Sequence, residues 1–100
     1  MWVLRQLVLI AVICFSPAMY AADVFKGREV YEIQCQSCHG VDGRGVLAFA
    51  PDFTRGERLL RSDLALLAAV SSGKGVMPAF EGVLSEREIL NVIAYLRTLY

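Results

Sequence analysis

The pentapeptide Cys35-Gln36-Ser37-Cys38-His39 constrains this chain more than any other feature. Two thiols three positions apart, with an imidazole directly after them, have the spacing of a covalent haem attachment site. The sulfurs add across the vinyl groups of a haem, and the adjacent His39 falls under the iron as its proximal ligand. A chain built on such a segment wraps around a flat, largely apolar ring, and most of its other residues become the walls of that ring's pocket.

The same residues have other uses. A structural zinc site wants four ligands, usually Cys and His. Beyond the first 22 residues the chain has only Cys35, Cys38 and His39 of these types, so a fourth ligand would have to be a carboxylate. A thioredoxin-like redox pair sits near a βαβ pattern, and no strand-rich segment is present. A disulfide between Cys35 and Cys38 would close a very short loop and add little stability.

The N-terminus reads as a secretory signal over residues 1–22, ahead of one domain over 23–100. Arg5 supplies the positive start, Leu7 to Phe15 an unbroken apolar run, Ser16-Pro17 the break, and Ala18, Ala21 and Ala22 the small residues. Cutting after Ala21 or Ala22 leaves Met19 or Tyr20 at the third position back, where a small residue is usual, so the cleavage point stays open. Trp2, Val3 and Leu4 extend the apolar stretch, which makes an uncleaved anchor the alternative. Removing the leader takes Arg5 from the ten Lys and Arg and leaves the ten Asp and Glu in place. The formal charge is then slightly negative, and the mean hydropathy of +0.49 is inflated by the leader. No basic stripe points to nucleic acid. A domain of this size is marginal for a protein-only core, and a covalently held ring supplies the missing apolar surface.

Three main helices are expected. The first spans about Val24 to Gln34, with Phe25, Val30, Tyr31 and Ile33 as an imperfect apolar face. The second spans about Ser62 to Ser71, capped by Ser62 and stopped by Gly73, with Leu64, Leu67, Ala68 and Val70 on its apolar side. The third starts at the Ser85/Glu88 capping-box pair and repeats Ile89, Val92, Ile93 and Leu96 at helical spacing. Long loops fill Gly40 to Arg58 and Ser72 to Leu84.

A haem iron takes a second axial ligand, and its identity separates carrier from catalyst. Met77 is the one methionine beyond the leader, within Gly73-Lys74-Gly75-Val76-Met77-Pro78. Pro78 biases it towards extended backbone, and flanking glycines let a chain pass close to a ring. A loop thioether is a soft ligand that raises the potential. Core packing is the plainer role for Met77, and Lys74 is a replacement ligand at high pH.

Gly27-x-x-x-Tyr31-x-x-x-Cys35-x-x-Cys38-His39-Gly40, Asp42-Gly43-x-Gly45, Ala50-Pro51, Gly73-x-Gly75-x-Met77-Pro78-Ala79-Phe80 and Tyr95-Leu96-Arg97 together resemble a small class I monohaem cytochrome c of the bacterial periplasmic type. The resemblance covers essentially all of Val24 to Tyr100. It implies an all-α cytochrome c fold, three main helices and long loops wrapped around one covalently attached haem c with its iron. It implies that the first and last helices cross near Gly27 and Tyr95. It also implies that the carbonyl of Pro51 accepts the proton of His39 and so fixes the ring. The cofactor-binding set is then Cys35, Cys38, His39, Met77 and Pro51, with His39 and Met77 on the metal. No Trp remains beyond the leader to bond a haem carboxylate, and Arg55, Arg58 and Arg61 are candidates to replace it.

The function so expected is one-electron transfer in the periplasm, without bond chemistry, between redox partner proteins such as an oxidase, reductase or dehydrogenase. Membrane contact is expected only through an uncleaved leader. The rivals are a haem sensor or small peroxidase with a labile sixth ligand, and a fixed haem subunit of a membrane redox complex.

Overall fold

The computed structural model describes residues 21–100. The expected leader, with Cys14 and all but its last two residues, lies outside the described residues. Four helices follow in order: α1 Val24–Gln34, α2 Gln36–His39, α3 Asp63–Ser72 and α4 Glu86–Arg97, with a 3₁₀ turn at Phe53–Arg55. Two isolated bridges, Lys74 with Met77 and Glu81 with Leu84, are the only β pairing among the described residues. The all-α expectation holds, and the three long helices fall within a residue or so of their expected bounds.

Local chemistry sets each start. The Asp23 carboxylate accepts from the N–H groups of Phe25 and Lys26 at the head of α1. The Ser62 hydroxyl caps α3. In α4 the Ser85 side chain accepts from the Glu88 N–H while the Glu88 side chain accepts from the Ser85 N–H, which satisfies two orphan donors reciprocally.

Packing centres on the crossing of α1 and α4, the most extensive helix–helix contact. Gly27 makes it possible. A Cβ there would overlap the backbone carbonyl of Asn91, so only hydrogen fits between the two helices. The expected partner of Gly27, the Tyr95 ring, lies instead on Tyr31, edge to face at 5.2 Å and 60°. Glycine gives up space to backbone, and the aromatics pair one turn further on. The Asp23 N–H donates to the buried Asn91 side chain at 2.8 Å, pinning the head of α1 to the middle of α4.

Tyr31, Phe53, Leu59, Leu66, Phe80, Ile89, Val92, Ile93 and Leu96 form the core. Two expected faces are corrected by it. Phe25 and Ile33 are 82% and 80% exposed, because α1 meets α4 only through the stripe that holds Gly27 and Tyr31. In α3 it is Leu66 that is buried, and Leu64 is exposed. That helix is apolar almost all round, so its sequence carries no stripe to separate the two sides.

Candidate functional site

Residues of all four helices and of the two long loops line a cavity of about 670 Å³ with mostly apolar walls. Every residue expected at the site, namely Cys35, Cys38, His39, Pro51 and Met77, lines it. They come from three separate segments, brought together by folding.

The attachment side is helical. α1 ends at Gln34, and α2 begins at Gln36 after Cys35 breaks the register, with its N–H still bonded to the Tyr31 carbonyl. Cys35 is half-buried and Cys38 exposed, both as free thiols. Burial, with the neighbouring Cys38 second, pushes the Cys35 thiol up to about 11, so it rests as a neutral sulfhydryl. Burial also lowers His39 below its usual value and keeps the imidazole neutral, the form that binds a metal. Below this turn the Tyr31 hydroxyl donates to the Gly40 carbonyl at 2.6 Å. Its own proton is held tightly: burial, then Cys35, Tyr95 and Asp42, raise it to about 12. Tyr31 stands one helical turn before Cys35, and that spacing is the signal by which the sequence could have placed it beneath the turn.

His39 is held by an aromatic neighbour. Its ring stacks on Phe53 with centroids 5.0 Å apart and planes at 26°. Its Nδ1 is buried without a hydrogen-bond partner. Stacking against Phe53 sets the ring's tilt.

The methionine side is a loop. The Lys74 and Met77 backbones exchange two bonds of 3.0 Å. The Phe80 and Glu81 N–H groups donate to the carbonyls of Val70 and Ser71, which ties the loop to the end of α3. Gly73 has φ 68°, and a Cβ there would stand 2.6 Å from the Met77 carbonyl oxygen. The chain carrying Met77 and Pro78 runs directly over this glycine. Met77 is half-buried, while Val76, Pro78 and Ala79 are exposed around it.

Of the three candidate arginines, Arg58 and Arg61 line the cavity and Arg55 does not. Phe53 lies under His39, and Phe49 lines the cavity while 71% exposed.

The arrangement suits a haem. Apolar walls, a neutral half-buried imidazole with an orphaned nitrogen, two unpaired thiols and a thioether on another loop form a mixed N and S donor set around a slot. Among the described residues no three His, Cys, Asp or Glu converge to hold a metal ion by themselves, so a zinc site lacks its donors. Among the described residues no helix is long and apolar enough to cross a membrane.

Known proteins match this description. Residues 22–96 match the family described as cytochrome C oxidase, cbb3-type, subunit III. Cytochrome c6 of Synechococcus sp. is 38% identical over 84 residues, covering 80% of this chain and 73% of that one. Cytochrome c6 of Picosynechococcus sp. is 31% identical over 100 residues, covering 89% and 84%. The solved cytochrome c6 of the diatom Phaeodactylum tricornutum superposes with a TM-score of 0.66 at 32% identity, covering 77% of this chain and 93% of that structure.

Proposed function

This chain belongs to the family described as cytochrome C oxidase, cbb3-type, subunit III, and is a small, c6-like class I monohaem c-type cytochrome, an electron carrier with covalent haem c that works with redox partner proteins; from that premise we propose a periplasmic shuttle with a closed, His/Met-ligated iron. When bound, the haem supplies a one-electron Fe(III)/Fe(II) couple. Every other task falls to the chain.

In this reading Cys35 and Cys38 form the thioethers, and His39 and Met77 take the two axial positions. Their neutral resting states favour it: the thiol of Cys35 and the imidazole of His39 enter without a buried charge to neutralise. A His39 that gives one nitrogen to iron keeps its proton on the other, and the orphaned Nδ1 then needs an acceptor, which is the role proposed for the Pro51 carbonyl. Met77, carried on a loop tied to α3 by backbone bonds, keeps a soft sulfur at the iron in both oxidation states. The exposed Val76, Pro78 and Ala79 lie where a partner would approach. Residues 1–22 act as the export signal, removed to leave 23–100.

The single observation that carries this reading is that His39 and Met77, 38 residues apart in sequence, line the same apolar cavity as the two thiols. Optical spectra of the oxidised and reduced protein, with and without carbon monoxide, test it. The expected outcome is a haem spectrum unchanged by the gas. Ready binding of carbon monoxide would replace the carrier with a sensor or small peroxidase. The description of the matching family favours a second reading, a fixed haem subunit of an oxidase complex. The intact mass of the native protein, together with its partition between soluble and membrane fractions, separates the two: a free carrier has lost residues 1–22, gained one haem and stays soluble.

A further inference from the structure

We propose that Phe53 is a positioning residue for the His39 imidazole, and that Leu99 and Tyr100, seated on Gly43 and Gly56 just beyond α4, hold Phe53 in place. This rests on the haem-carrier reading and deepens it by naming what fixes the direction of the proximal ring.

A nitrogen bonded to iron fixes where an imidazole sits, but leaves its plane free to turn about that bond. A neighbour outside the ligand set has to choose the direction. Phe53 is placed to do so. Its ring lies on the His39 ring with centroids 5.0 Å apart and planes at 26°, within the range of an offset stack. Turning the imidazole would break that stack, so a fixed Phe53 fixes the plane.

Phe53 is itself fixed. Its side chain is buried in the core. Its N–H donates to the Gly43 carbonyl at 2.8 Å, and its carbonyl accepts from the Gly56 N–H at 3.0 Å. The turn between is capped by Asp52, whose carboxylate accepts from the Thr54 N–H at 2.9 Å and the Thr54 hydroxyl at 2.6 Å. The far end of the same loop segment is tied to the ligand, since the His39 carbonyl accepts from the Gly45 N–H at 2.8 Å.

Behind Phe53 stands the chain that leaves α4. A Cβ on Gly43 would lie 2.7 Å from Leu99 Cδ1 and 3.4 Å from Phe53 Cβ, so Leu99 and Phe53 share one bare stretch of backbone. A Cβ on Gly56 would lie 2.8 Å from the Tyr100 ring. The Thr98 hydroxyl donates to the Tyr95 carbonyl at 2.6 Å, and the Leu99 N–H to the Leu96 carbonyl at 3.0 Å, which keeps the chain turning back onto the loop. The two ends of the Phe53 turn are thus both backed by side chains from beyond α4. Pro51 lies two residues before Phe53, so the same buttress carries the proposed acceptor for His39.

The test is proton NMR of the oxidised, haem-loaded protein, because the order of the haem methyl resonances follows the direction of the axial imidazole plane. Phe53→Leu keeps apolar bulk and removes the flat ring. The minor ring direction should gain about fivefold in population, the ratio one aromatic pair sustains, seen as a reordered or doubled set of methyl resonances. Phe53→Tyr keeps the stack and should keep the native order. Leu99→Ala alters a side chain that does not line the cavity, and should shift the resonances in the same direction by less. Ile89→Val is the control: it trims a buried residue of α4 that does not line the cavity, and should lower the melting temperature with the methyl order unchanged. Attached haem with resonances in Phe53→Leu no different from those in Ile89→Val would overturn the role of Phe53. Reordering in Phe53→Leu but none in Leu99→Ala would overturn the buttress. A chain that takes up no haem would overturn the carrier reading from which the assignment starts.

Discussion

The cavity has a helical wall and a looped wall, built on different principles. Cys38 and His39 stand on α2 and Cys35 joins it to α1, and α1 is locked on α4 by helix packing at Gly27 and by the Tyr31–Tyr95 ring pair. Met77 stands in a loop with no helix of its own, held by backbone hydrogen bonds to the end of α3 and by the absence of a side chain at Gly73. The first wall carries the stability of the fold. The second adds less to that packing, yet it carries Met77, the proposed ligand that would decide between a carrier and a gas-binding site.

Substitutions that hurt one wall and spare the other would sharpen this contrast. The largest effect is expected at Gly27→Ala, whose methyl group meets the Asn91 carbonyl and forces α1 from α4. Overpacking of backbone against backbone should cost about 3 kcal/mol in a urea titration of the haem-loaded protein. Second comes Gly73→Ala, which adds left-handed strain and a clash with the Met77 carbonyl. It should cost about 2 kcal/mol, and its sharper signature is new carbon monoxide binding by the reduced protein, with the helical circular dichroism preserved. Equal loss of stability and equal gas binding in both variants would break the contrast. Smallest is Tyr31→Phe, which leaves the Gly40 carbonyl without its 2.6 Å donor. About 1.5 kcal/mol should be lost, with carbon monoxide still excluded, because the damage lies on the helical wall.

How far the sequence spoke follows the same divide. Cys35 to His39 is a contiguous pattern, and α4 announces itself through Ser85, Glu88 and four apolar residues at helical spacing, so both were legible. The place of Met77 in the cavity wall was readable because glycines and a proline surround it. What could not be read depends on which surfaces meet. Phe25 and Ile33 look like core and are exposed, while Asn91 looks like surface and is buried. Both outcomes follow from the close approach at Gly27, which the chain reveals only when folded. The 3₁₀ turn at Phe53–Arg55 was missed although Asp52 caps it, since a single acceptor for the Thr54 N–H is a weak signal against a glycine-rich background. The left-handed Arg58 has no sequence signature at all, and neither does the stacking of His39 on Phe53.

The pin between Asp23 and Asn91 also sets an order of assembly. The two residues are 68 positions apart, and closing so long a loop costs about 4 kcal/mol of chain entropy. A ribosome adding residues in sequence delivers Cys35, Cys38 and His39 long before Asn91. Until α4 arrives, α1 has nothing to dock against and both thiols hang on an open segment. The architecture thus leaves the Cys35–His39 turn open until α4 docks and closes it last, like a drawstring pulled from the far end.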